Sequence, residues 1–188
     1  DNAASALVTV QVIGTAGAGD TVSADFDAGN NPSVQANMQG VETFNLDLID
    51  DDAELDVDMS LVTGLTLMNI SDASAESIEL SNLAAGVTVD VTTTDAAATT
   101  VEIQRAVVSG TETQTVNITA VSNNDNIAIV MADVETLVVN AEQANQVDLD
   151  LAGLSMTAAG ATMAVNFVGA NDVEVIGLGA DVTTLDAS

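Results

Sequence analysis

Apolar and polar residues alternate with period two along most of this 188-residue chain. The runs 6–13 (ALVTVQVI), 43–49 (TFNLDLI), 54–59 (ELDVDM), 65–70 (LTLMNI), 77–83 (SIELSNL) and 87–91 (VTVDV) follow it. So do 100–104, 114–121, 126–131, 136–140, 146–151, 163–168 and 172–176. Such alternation predicts strands with one buried face and one wet face. Gly, Asn, Asp, Ser and Ala separate the runs, Pro occurs once, and no Asn-Gly or Asp-Gly pair offers a tight hairpin. Val41, Gly64 and Gly86 open similar runs at spacings of 23 and 22 residues. This fits a coil of two strands and two corners. The expected fold is therefore all-β, an elongated parallel β-solenoid. The alternative is a β-sandwich with a donated N-terminal strand.

An internal echo supports repetition. VETFNLDL at Val41 resembles VETLVVNA at Val134, and a D-x-D strand followed by Gly-Leu comes after each. Residues 1–40 read differently, as a strand at 6–13 followed by a Gly/Asp/Asn-rich loop at 14–33. Residues 41–188 read as the repetitive β domain. A turn of helix has room only within 153–163.

Composition narrows the chemistry. There are 29 acidic residues, one basic residue (Arg105) and no His, and the formal charge is −28. Phosphate binding needs Lys or Arg, so nucleic acid is excluded as a partner, and so is an anionic membrane surface. Without Cys, His or Lys the chain lacks thiol nucleophiles, the commonest general base and Schiff-base chemistry. Three Phe are its only aromatic residues. No apolar run approaches the ~20 residues of a membrane-spanning helix. No charged leader opens the chain, so a secretion signal is expected to be removed or to lie elsewhere. The core must be built from Val, Leu, Ile and Ala, with Met as filler. So much like charge calls for screening by salt, protons or divalent cations.

The phrases GTAGAGDTV (14–22), GVETFNLDL (40–48), VTGLTLMNIS (62–71) and DVETLVVNA (133–141) resemble the calcium-dependent S-layer proteins of Gram-negative bacteria and their repeats-in-toxin relatives. The resemblance implies a secreted cell-surface protein, a strand ladder in a surface lattice, and calcium held by Gly-rich loops. AGAGDTV is one degenerate copy of the nonapeptide G-G-x-G-x-D-x-U-x, so a tandem β-roll is not expected.

Two acidic stretches are candidate calcium sites, because calcium takes six to eight hard oxygens. One holds Asp20, Asp25, Asp27 and Asn30, with Asn31 beside them; the other holds Asp47, Asp50, Asp51, Asp52, Asp56 and Asp58. A solvated acidic corner explains either equally simply. Arg105 reads as a surface side chain near Glu102, or as a partner for an acid across coils. N-I-S at Asn69 and N-I-T at Asn117 match the glycosylation sequon. Paired carboxylates alone do not make a glycosidase without groups to hold a sugar. The expected function is a non-enzymatic, extracellular structural protein that self-assembles into a surface layer or filament and binds calcium through acidic loops. Its partners would be copies of itself, with a cell-surface polysaccharide as a further candidate. The alternative is a calcium-binding spacer or ligand-binding module of a large repeats-in-toxin adhesin.

Overall fold

The computed structural model describes residues 11–15, 17, 19–26, 33–48, 54–73, 77–93, 99–106, 111–119, 125–141, 146–169 and 172–187. Seventeen strands occur in chain order, beginning with β1 (Gln11–Ile13), β2 (Thr21–Phe26), β3 (Ser33–Gln39), β4 (Thr43–Leu48), β5 (Glu54–Thr63) and β6 (Leu67–Ala73). Next come β7 (Ser77–Leu83), β8 (Thr88–Thr93), β9 (Thr99–Arg105), β10 (Thr113–Thr119), β11 (Asp125–Ala132) and β12 (Thr136–Ala141). The last are β13 (Val147–Leu151), β14 (Leu154–Ser155), β15 (Met163–Val168), β16 (Val173–Leu178) and β17 (Val182–Ala187).

Successive strands alternate between two parallel sheets. The first runs β1-β3-β5-β7-β9-β11-β13-β16, with β14 pairing β11; the second runs β2-β4-β6-β8-β10-β12-β15-β17. Each pair of consecutive strands is thus one coil, and the chain is a β-solenoid. Register partners in the first sheet commonly lie 23 residues apart, as with Ser33 and Asp56, Glu54 and Ser77, and Ser77 and Thr100. The sequence interval of 22 to 23 residues is therefore the length of a coil. At about 4.8 Å per rung, eight rungs in each sheet make a ladder about 34 Å long.

Parallel register stacks like on like. Val34, Val57, Leu80, Ile103, Met131 and Leu154 form one inward row of the first sheet. Val22, Phe44, Met68, Val89, Val116, Val139 and Phe167 form another in the second. The rows meet in a single aliphatic core. All six methionines lie in that core or against it, as filler should.

Two readings change. β2 falls inside the stretch expected to be a loop, and with β3 it belongs to the ladder, which begins ahead of Val41. TVSADF lies amid Gly, Asp and Asn, and its described inner residues Val22 and Ala24 are small, so its apolar signal did not stand out. Residues 153–163 contain β14 and turns in place of a helical turn. The strand expected from residue 6 is described only over Gln11–Ile13.

Leu80 sits mid-ladder and fully buried, while Leu185 on the last rung is 50% exposed. Leu80→Ala should lower unfolding free energy by about 2–5 kcal/mol, and Leu185→Ala by about 0.5 kcal/mol or less. Urea titrations of the two variants in high salt check this; equal losses would contradict the continuous core.

Candidate functional site

The candidate acids divide between the two outer faces. Asp25 and Asp47 are register partners on β2 and β4, in the second sheet. Asp56 and Asp58 stand on β5, in the first sheet. Asp20 precedes β2 at the corner of the first coil. Asp27, Asn30, Asp50, Asp51 and Asp52, like Asn31, lie outside the described residues. Among the described residues, no three Asp or Glu side chains are grouped to hold a metal ion.

Several of the described acids accept hydrogen bonds from neighbouring coils and turns. Asp58 is the fullest case. Its Oδ1 accepts the Ser60 N–H and Asn82 Nδ2, each at 2.9 Å, and its Oδ2 accepts Gln35 Nε2 and Ser60 Oγ, each at 3.0 Å. Three successive coils meet on this one carboxylate. The Ser60 backbone N–H holds the Asp58 carboxyl below its ordinary value; partial burial opposes this, and the Asn82, Ser60 and Gln35 side chains reinforce it. Asp47 Oδ1 accepts Ser71 Oγ at 2.9 Å, and Asp56 Oδ2 accepts Ser33 Oγ at 3.0 Å. The other oxygen of Asp56 is buried and meets no donor among the described residues. Asp56 opens an outward column with Glu79 and Glu102, three acids on consecutive rungs.

The V-E-T echo is a corner device. Gly40, Gly64 and Gly86 turn the chain with φ of 65°, 91° and 80°, and Asp133 does the same with φ of 60°. Val41, Leu65, Val87 and Val134 follow them into the core. A Cβ on Gly64 would sit 3.1 Å from the Gly40 Cα of the coil below, so the stacked corner requires Gly there. Asp is one of the few other residues that tolerate this conformation. The glutamates of the echo then reach back one coil. Glu42 Oε2 accepts the N–H of Asp20 at 2.9 Å and of Gly19 at 3.3 Å, and Glu135 Oε2 accepts the N–H of Glu112 at 2.7 Å. Asp133 and Asp181 take the N–H groups of Thr157 at 2.6 Å and Met156 at 2.8 Å. Asp20 takes the N–H of Thr15 at 2.5 Å.

The second sheet carries an amide column that the sequence reading missed. Ser23, Asn45, Asn69, Asp90, Asn117 and Asn140 are in register on its outer face. Asn45 Nδ2 donates to Ser23 Oγ at 3.1 Å, Asn69 Nδ2 to Asn45 Oδ1 at 2.7 Å, and Asn117 Nδ2 to Asp90 Oδ1 at 2.5 Å. A cavity of about 220 Å³ runs between this column and Ser71, Thr92 and Thr119. Both sequons fall here. In a strand that alternates out, in, out, an Asn of one column and a Ser or Thr of the next are two positions apart. N-I-S, N-I-T and the equivalent D-V-T of Asp90 to Thr92 thus follow from the two columns.

Arg105 corrects the surface reading. Its side chain is 1% exposed; Nη2 lies 3.1 Å from Glu112 Oε2, and Glu112 is 11% exposed. Nη1 donates to Gln114 Oε1. Gln114 is itself buried in an inward row with Leu137 and Val165, and its Nε2 donates to the carbonyls of Val87 and Thr115 at 2.9 Å each. The parity was in the sequence: Ile103 is inward and Gln104 outward, so Arg105 is inward, as Gln114 is ahead of Val116. Of the two readings, pairing with an acid is the one the structure has, around the corner from β9 to β10. A cavity of about 380 Å³ opens beside Arg105, between Glu102, Gln104, Val130 and Gly153.

Compared with protein-family models, curated proteins and solved structures, the chain matches none. The chemistry on display is that of acceptors: carboxylates and amides satisfied by N–H and O–H donors, with one guanidinium buried as a staple.

Removing one partner of a buried pair leaves the other desolvated. Arg105→Met should therefore destabilise the fold by about 3–5 kcal/mol, while Arg105→Met with Glu112→Leu should recover a large part of the loss. Chemical denaturation of the two variants decides; an unchanged midpoint for Arg105→Met would show the staple to be idle.

Proposed function

We propose that this chain is a non-enzymatic structural protein of the extracellular cell surface, which self-assembles into a layer or filament with the help of calcium. The observation that carries the reading is the column Asp56, Glu79 and Glu102 on the flank of the solenoid. Adjacent rungs bring these acids within about 5 Å of one another along the backbone. Carboxylates cannot donate to one another, and one rod groups no three of them for a metal ion among the described residues, so a divalent cation, which takes oxygen-rich coordination, would need ligands from two rods. A cation between the flanks of two rods would draw ligands from both. The net charge of −28 makes assembly without such ions unfavourable. The resemblance to calcium-dependent S-layer and repeats-in-toxin proteins points the same way. A neutral cell-surface polysaccharide is a reasonable further partner for the amide and hydroxyl groove beside Asn69, Asp90 and Asn117. The rival reading, a monomeric spacer or ligand-binding module of a large adhesin, shares the calcium but not the assembly.

In low salt, calcium should raise the melting temperature and drive the chain into sedimenting assemblies, since a ligand bound to the native state alone stabilises it by mass action. EDTA should reverse both. A melting temperature and sedimentation profile indifferent to calcium and EDTA would remove the cation from the proposal. A chain stabilised by calcium yet monomeric would favour the adhesin module.

A further inference from the structure

The outer face of the first sheet is hollowed at one place in mid-ladder. β9, β11 and β14 lie on successive rungs there, with Glu102 opposite Val130 and Ala132 opposite Ser155. β13 ends at Leu151 and β14 begins at Leu154. Gly153, between them, packs so closely on β11 that a Cβ would sit 2.7 Å from Val130 Cγ2. Ala132, Gly153 and Ser155 are small, and the space they leave is the cavity of about 380 Å³. Small-molecule sites begin at about 300 Å³. Val130, Ala132 and Gly153 give it an apolar floor, and Glu102, Gln104 and Ser155 supply its polar groups. Gln104 Nε2 donates to Glu102 Oε1 at 3.0 Å. Glu102 Oε2, Gln104 Oε1 and the Ser155 hydroxyl meet no donor among the described residues. Arg105, the basic residue at this cavity, is turned inward at 1% exposure, and its charge is met by Glu112 at 3.1 Å.

We propose that this cavity binds a primary alkylammonium group, the end of a lysine side chain or of a free linear amine. An ammonium has three N–H donors and no acceptor. It therefore answers a carboxylate oxygen, an amide oxygen and a hydroxyl, and it brings the charge that Glu102 calls for. Its alkyl stem would lie along Val130, Ala132 and Gly153, as lysine stems lie on apolar surface with the charged head in water. Other ligand classes match one half of the cavity and not the other. An anion meets Glu102 in a chain of net charge −28. A divalent cation takes oxygen-rich coordination, and among the described residues no three acids are grouped for one. A wholly apolar molecule covers acceptors without satisfying them, which costs free energy. The chain contains no Lys, so the ammonium comes from another molecule and not from a second copy. The acidic surface draws such cations toward it. This site needs neither calcium nor assembly.

The test is calorimetric titration of the whole chain, in EDTA and moderate salt, with methylamine, pentylamine and a lysine capped at both ends. Pentylamine should bind at one site, about tenfold tighter than methylamine or more, because its further methylenes cover the apolar floor. Glu102→Gln should weaken pentylamine about tenfold by removing the charged acceptor. Ala132→Met keeps every charge but fills the floor, and should weaken it as much. Glu174→Gln is the control. Glu174 lies on β16 of the same sheet and accepts Gln146 Nε2 at 3.0 Å, so it offers the same carboxylate and amide pair without this cavity. Its loss should leave pentylamine affinity within about twofold, as expected of charge screened by salt. Capped lysine binding as tightly as pentylamine assigns the site to a lysine of a partner protein, and pentylamine binding alone assigns it to a free amine. No saturable binding of either, equal affinity for methylamine and pentylamine, or equal losses from Glu102→Gln and Glu174→Gln would overturn the proposal. So would an unchanged affinity in Ala132→Met.

Discussion

Twenty-nine acidic side chains share one basic partner in this chain, and that partner is buried. The carboxylates must therefore take their protein donors from main-chain N–H groups, amides and hydroxyls. A stacked parallel coil supplies them. Several of the described corners leave N–H groups that the ladder does not use, one coil away from an acid. Glu42, Asp133, Glu135 and Asp181 each accept such a group across coils. Hydrogen bonds to charged acceptors contribute about 1.5–3 kcal/mol each, so these stitches offset part of the self-repulsion that the acids create. The acidic composition and the solenoid are in this sense one property.

The same constraint sorts the outer faces. Parallel register places like residues about 4.8 Å apart, a spacing at which two full charges in water repel by about 1 kcal/mol. Amides escape this because each carries both donor and acceptor. The column through Asn45, Asn69, Asp90, Asn117 and Asn140 has one carboxylate, set between two asparagines. Asp58 escapes it by gathering donors from three coils. In the column Asp56, Glu79 and Glu102 consecutive rungs do carry carboxylates, and there Asp56 accepts from Ser33 and Glu102 from Gln104.

Much of this was legible in the sequence, and what was not has physical reasons. Alternation located the strands, and the interval from Val41 to Gly64 to Gly86 is the coil length, because equivalent positions of a solenoid meet in register. The V-E-T echo was visible, but its reason lies a coil away in the N–H groups of Asp20 and Glu112. β2 was read as loop because it stands amid Gly, Asp and Asn and its described inward residues, Val22 and Ala24, are small. The left-handed φ of Asp133 leaves no mark in composition. Arg105 and Gln114 stood on inward parity, and charge alone argued Arg105 outward. The acids were read as possible metal ligands, and Asp47, Asp56 and Asp58 among them also accept hydrogen bonds from neighbouring coils.

Hydrogen exchange at the corner amides tests this account most directly. The N–H groups of Asp20, Glu112, Met156 and Thr157 lie outside the strands and donate to carboxylates of Glu42, Glu135, Asp181 and Asp133. Amides freed only by opening of the ladder exchange at rates set by its stability, whereas frayed corners exchange nearly freely. The account predicts protection at these four positions comparable to that of the strand amides, and its loss at Asp20 alone in Glu42→Ala. Exchange at the rate of an open loop at all four would contradict it.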